Sequence, residues 1–173
     1  MISDRDRLTV RQMRYHIDHV METCRENPHI DVYKALETLF LVKQRFLPKY
    51  LPDKYRWVNI NHEMGPGPVY TKQYYPLDQR LTAVNVPLKT LYGSTWLFDE
   101  EQWIIDGRPI PDRLARICLY IINRTPLLPI PADKLEENVY IVGDGNHRIY
   151  TAYLMGLSEV PLEVDSQLTL VAD

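Results

Sequence analysis

Apolar residues recur every three to four positions through the first fifty residues, and that period predicts two helices. In the first, residues 4–26, Met13, Ile17, Val20, Met21 and Cys24 form one stripe, with Ser3 or Asp4 as the cap. Pro28 stops it. The second helix spans residues 32–47 behind Asp31 as its cap, with a stripe of Val32, Ala35, Leu36, Leu39, Phe40 and Phe46. Pro48 ends it. The short connection makes the two an antiparallel pair. Leu36, Leu39 and Phe40 are too apolar to stand in water, so the pair is expected to pack on the rest of the chain or on a second subunit.

The pattern changes after Pro48. Residues 55–61 and 69–75 alternate like strands, and between them Met64-Gly-Pro-Gly-Pro68 excludes helix or central strand and reads as a loop. From Arg80 an α/β alternation takes over. Residues 81–88 are strand-like. Pro111 opens a helix whose stripe is Leu114, Ile117, Cys118, Ile121 and Ile122. Thr125-Pro126 ends it, residues 127–131 continue as a strand, and residues 132–138 read as a polar turn. Val139-Tyr140-Ile141-Val142 is a short strand. The turn Gly143-Asp144-Gly145-Asn146 follows. Ile149, Ala152, Tyr153 and Gly156 then fall at helical spacing, with Gly156 suited to a left-handed helix stop. Residues 160–164 form a last strand. The class is therefore α/β (α+β): a small mixed sheet flanked by helices, with an N-terminal helical pair. Residues 1–52 form the helical extension and residues 53–173 the α/β domain.

Composition alters this picture little. With 45% hydrophobic and 25% charged residues, the chain can bury a core. A net charge of −3 gives no bulk attraction to nucleic acid or to an anionic membrane. The N-terminus has no apolar signal core, and no stretch is long enough to span a bilayer, so a cytoplasmic protein is expected. Cys24 and Cys118 both fall on apolar stripes and read as buried free thiols, with a disulfide as the lesser reading. Arg5, Arg7, Arg11 and Arg14 make the start of the first helix basic; a solvated face is the simplest account, and a face that contacts phosphate or a partner is the alternative. His16 and His19 have the spacing of two metal ligands, but a site needs a third and fourth ligand, and none is indicated nearby except Cys24 on the apolar stripe. His62-Glu63 beside the Gly-Pro loop has the same status.

Chemistry concentrates in the turn at residues 143–148. It joins a strand end to a helix start, with Asn146 as N-cap, so the N–H groups of His147, Arg148 and Ile149 lack helical acceptors. These donors, the helix dipole and the Arg148 guanidinium converge on one anion site, for which phosphate is the usual occupant. Asp144 suits Mg²⁺, His147 suits donation to a phosphate oxygen or proton transfer, and Arg148 offers a planar fork to phosphate. A purely structural β–α turn, with Arg148 paired to a carboxylate, is the alternative.

The stretch Asp144-Gly145-Asn146-His147-Arg148, between a strand and an Ala-containing helix that ends in Gly and a Val-Pro strand, resembles the ParB/sulfiredoxin superfamily. Its signature is a G-x-x-R turn before a helix. Val86-Pro87-Leu88-Lys89-Thr90-Leu91 resembles the opening strand, residues 112–123 the first helix and residues 126–131 the next strand, so the likeness spans residues 82–166. It implies a nucleotide, ATP or another, with Mg²⁺, held by Gly143, Gly145, Asn146, His147 and Arg148, with Asp144 on the metal. Sulfiredoxins carry a reactive Cys where this chain has Asn146, which argues against reductase chemistry. Partitioning members carry an Arg-rich turn and a following DNA-binding domain, whereas here His147 occupies the turn and nine residues follow Val164. The free-serine kinases carry Asp-Gly-His-His-Arg, one residue away. They also use a glutamate near the opening strand, for which Glu100 or Glu101 is the candidate.

The resemblance thus implies a small phosphotransferase or nucleotide hydrolase, of kinase type, acting on a nucleotide and a small-molecule acceptor through His147, Glu100 and Glu101. A non-catalytic module that responds to nucleotide is the second reading. A ParB-like nuclease is the third, weakened by the acidic charge and the lack of a basic stripe. A homodimer is one way to bury the N-terminal stripes.

Overall fold

A computed structural model describes residues 3, 5–48, 82–92, 110–142 and 145–165. Their order is α1 (Val10–Glu26), α2 (Val32–Lys43), a 3-10 turn (Gln44–Phe46), β1 (Thr82–Pro87), a second 3-10 turn (Leu88–Thr90) and β2 (Leu91–Tyr92). It continues with α3 (Pro111–Ile122), β3 (Ile130–Glu136), β4 (Val139–Ile141), α4 (Asn146–Leu154) and β5 (Glu159–Asp165). The chain is α+β, with an N-terminal helical pair and a small mixed sheet, as the pattern implied. The strands and loop expected at 55–61, 64–68 and 69–75, and the boundary between residues 52 and 53, lie outside the described residues. None of the described helices is long and apolar enough to cross a membrane.

The described residues fall into two compact units that interleave along the chain. The helical unit holds α1, α2, α3 and α4 from His147 onward. Met13 and Ile17 of α1, Leu36 and Phe40 of α2, and Leu114 and Cys118 of α3 are buried, and α2 packs on both α1 and α3. Burying each large apolar side chain contributes roughly 1.5–3 kcal/mol. In α4 nearly every position is covered: Ile149, Tyr150, Thr151, Ala152 and Leu154 are all inaccessible to solvent. Both free thiols, Cys24 and Cys118, are buried, as expected.

α1 starts later than its period suggested. Residues 5–7 are turn and bend, and Thr9 is the N-cap. Its hydroxyl accepts from Gln12 N–H while the Gln12 side chain accepts from Thr9 N–H, a reciprocal capping box. This fixes the start more strongly than Ser3 or Asp4, since Ser3 instead donates to the Asp6 carboxylate. α2 begins behind Asp31 as expected, its carboxylate accepting from Lys34 N–H. It tightens into the 3-10 turn at Gln44, so Phe46 turns 39% exposed and Leu47 is buried in its place. α3 opens with Pro111 at its first turn.

α3 and α4 stop in the same way. After α4, Leu157 N–H bonds to Ala152 O and Gly156 N–H to Tyr153 O, with Gly156 at φ +74°. After α3, Thr125 N–H bonds to Tyr120 O and Arg124 N–H to Ile121 O, but the left-handed residue is Arg124, at φ +56°.

The sheet unit has the strand order β1-β5-β3-β4-β2 among the described residues. β1 pairs antiparallel with β5, β5 parallel with β3, β3 antiparallel with β4, and β4 parallel with β2. Val160 and Leu162 of β5 and Ile130 and Ala132 of β3 alternate as buried positions, the period-two pattern of a strand. β3 corrects the sequence reading. The strand is residues 130–136 rather than 127–131, and the turn shrinks to Glu137-Asn138. Asp133 and Lys134 disguised a strand that lies in the middle of the sheet, where pairing on both sides outweighs propensity. Asn138, at φ +58°, makes the tight reversal into β4.

Candidate functional site

β4 ends at Ile141 and α4 begins at Asn146, the strand and the helix that the pattern placed on either side of this segment. Gly143 and Asp144 lie outside the described residues, as do Glu100 and Glu101. Gly145 is buried at φ +92°, a conformation that a side chain disfavours by about 1–2 kcal/mol. The glycine therefore sets the angle at which the backbone enters α4. Asn146 is the first helical residue rather than a residue before it, a one-position difference within the usual spread of helix ends.

Burial divides the turn. Asn146 is 4% exposed and His147 6%, whereas Arg148 is half-buried. The His147 imidazole is held: its Nε2 accepts a hydrogen bond from Ile110 N–H at 3.1 Å. Ile110 is the N-cap residue of α3 and supplies no side-chain cap of its own. An imidazole accepting at Nε2 carries its proton on Nδ1. His147 thus ties the first turn of α4 to the start of α3. One turn on, the Thr151 hydroxyl donates to His147 O at 2.7 Å.

The other end of α4 is held by residues that the sequence did not mark. Arg14 of α1 donates through Nη1 to Met155 O, and the same nitrogen would stand 3.1 Å from a Cβ added at Gly156. A cation at a helix C-terminus is favoured by the dipole. Tyr150 donates to Pro48 O at 2.6 Å, and burial pushes its phenol well above the ordinary range, with Tyr153 adding to the shift and Arg7 opposing it. Cys118 Sγ lies 3.6 Å from Met155 Sδ. Burial pushes the Cys118 thiol up to about 12, against the pull of Arg14 and with a smaller push from Asp18. Arg7 donates to Leu47 O at 3.3 Å. The solvated basic face therefore holds for Arg5 and Arg11, which are exposed, and fails for Arg7 and Arg14. No sequence signal marks a partner that is a backbone carbonyl 141 residues away.

His16 and His19 flank Tyr15, which lies edge-on to the first and stacks on the second, at 5.9 and 6.5 Å between ring centres. Among the described residues no cluster of three His, Cys, Asp or Glu side chains suits a metal ion.

Chemically, the first turn of α4 presents a dry Asn146 and His147 beside a half-accessible Arg148 at the positive end of a helix. An arginine at the positive end of a helix favours an anion over a cation.

No family model matches the chain, and no curated protein matches it. Among solved structures it is similar to sulfiredoxin from Arabidopsis thaliana, with 14% identity and a TM-score of 0.38, over 49% of this chain and 84% of that one. The comparisons bring no support for the free-serine kinase branch that the turn resembles.

Proposed function

We propose that the chain binds a nucleotide through its phosphates at the start of α4, with Arg148 as the principal contact and the backbone around Gly145 and Asn146 cradling the anion. The observation that carries this reading is the glycine turn at φ +92° leading directly into a helix whose third residue is a half-buried arginine. Asp144, with Mg²⁺, would neutralise further phosphate charge, and Gly143 would let the backbone approach.

Two versions of the reading differ in whether the nucleotide is turned over. In the first the protein is a small phosphotransferase or nucleotide hydrolase. His147 then moves a proton and Glu100 or Glu101 activates a small-molecule acceptor. In the second it is a nucleotide-responsive module. One observation favours the second: the His147 Nε2 already accepts from Ile110 N–H, so proton transfer through that nitrogen would first break the tie to α3. Binding of an anion beside His147 would then be felt at the start of α3.

Thermal-shift screening with nucleoside triphosphates and Mg²⁺ tests the reading, because a ligand that binds only the native state raises its melting temperature by mass action. A rise with nucleotide, absent in Arg148→Ala, supports it. A flat response across all nucleotides removes it. Turnover of the stabilising nucleotide, with a panel of hydroxyl acceptors, separates the two versions.

A further inference from the structure

His147 is 6% exposed and is held by a bond that only its neutral form can make. Its Nε2 accepts the Ile110 N–H at 3.1 Å, which leaves the ring proton on Nδ1. A second proton has only Nε2 to go to. It turns the acceptor into a donor, so two N–H groups face each other across the junction. Ile110 is the N-cap residue and lies before the first intrahelical donor, so α3 offers its N–H no acceptor in exchange.

The charged groups at the two helix starts, among the described residues, bear on that proton unequally. On α3, Asp112 is engaged by Arg116 at 3.3 Å and is part-exposed, and Arg113 is exposed, so solvent screens them. On α4, Arg148 follows His147 directly and is half-buried, at the positive end of the helix. Guanidinium and helix dipole both oppose a positive imidazole. An anion held by Arg148 reverses that sign beside the ring. Anion and proton then favour each other, each strengthening the other's binding by the same factor.

We infer that His147 is a proton-operated latch on the start of α3, which an anion at Arg148 helps to open. Neutral, the imidazole holds Ile110; protonated, it lets go. α4 keeps its other ties, Tyr150 to Pro48 and Arg14 to Met155, so the proton frees the start of α3 and leaves the support of Arg148 in place. The latch works in the range where imidazoles ordinarily titrate, about pH 5–8. Its coupling to an anion rests on phosphate binding at Arg148; the latch itself does not.

The test is nuclear magnetic resonance on the full, nitrogen-15-labelled chain, with sulfate as the probe because it stays a dianion across this range. At about pH 8 the His147 ring should show the Nδ1–H tautomer. On acidification the ring and the Ile110 amide should shift with one midpoint. In His147→Gln the side-chain amide oxygen can accept the same N–H but cannot titrate, so the Ile110 amide should stay level. Sulfate should raise the midpoint by about half a pH unit or more in the native chain, roughly a threefold preference for the protonated form, and not in Arg148→Ala. An Nε2–H tautomer at about pH 8, an Ile110 amide that ignores the charge on His147, or an equal pH response in His147→Gln overturns the latch. The native spectra decide this even if His147→Gln does not fold. Sulfate that leaves the Arg148 signals unmoved counts against phosphate binding there, and the titration alone then judges the latch. Sulfate that moves those signals without moving the midpoint overturns the linkage while phosphate binding stands.

Discussion

Arg124 and Gly156 occupy the same left-handed position after their helices, at φ +56° and φ +74°. Glycine takes that conformation without strain, whereas an arginine there gives up about 1–2 kcal/mol. Part of that is recovered in the unfolded state, where glycine is the more flexible. Arg124→Gly should therefore raise stability by about 0.5–1 kcal/mol in chemical denaturation, and no gain would mean that the Arg124 side chain holds something of equal worth. Cys118 makes a second prediction. Its folded-state value is raised from 9.0 to about 12, so the thiol stays protonated in the native protein while the unfolded chain ionises from about pH 9. The stability it contributes is fully present below pH 9 and is lost as pH rises towards 12, by up to about 1.4 kcal/mol per pH unit. Tyr150 is shifted in the same direction from 10.0, so it adds a loss only above pH 10. Between pH 9 and 10 the denaturation free energy should fall in the native protein and stay level in Cys118→Ala. An equal slope in both would contradict the assignment.

Local chemistry decided which elements were readable. α2 and α3 were legible because Asp31 and Pro111 are start signals that the structure uses as such. α4 was legible because a glycine turn precedes it and Gly156 follows it. The start of α1 was misread because Ser3 and Asp4 look like caps, while the reciprocal pair of Thr9 and Gln12 is the one that forms. Thr9→Ala should lower stability by about 1 kcal/mol, with the loss visible in helical circular dichroism on mild heating. Mutating Ser3 should leave both unchanged. β3 was misread because a central strand carrying Pro131, Asp133 and Lys134 has no apolar run to betray it. Its identity comes from its neighbours β5 and β4, which are non-local pairings. In the candidate site the backbone plan of Gly145 through Arg148 was readable from residue types. The partner of His147 was not, because a backbone N–H 37 residues away leaves no trace in composition or spacing.

For the molecule as a whole, α4 is held at both ends within the helical unit. His147 ties its start to α3, and Arg14 of α1 closes its end. A helix fixed in this way presents Arg148 on a rigid support, which lowers the entropic cost of gripping an anion. Arg148 is half-buried, so its removal should cost the fold little and the ligand much. The most direct measurement is calorimetric titration of the stabilising nucleotide into the native protein, Arg148→Ala and Arg148→Lys, with melting temperatures recorded for all three. The account predicts a loss of about 1.5–3 kcal/mol, roughly tenfold to a hundredfold in affinity, for Arg148→Ala. It predicts little recovery in Arg148→Lys, because a point charge cannot copy the planar fork, and melting temperatures close to native in the absence of ligand. Unchanged nucleotide affinity in Arg148→Ala, or a variant that unfolds while the native protein takes up no nucleotide, would contradict it.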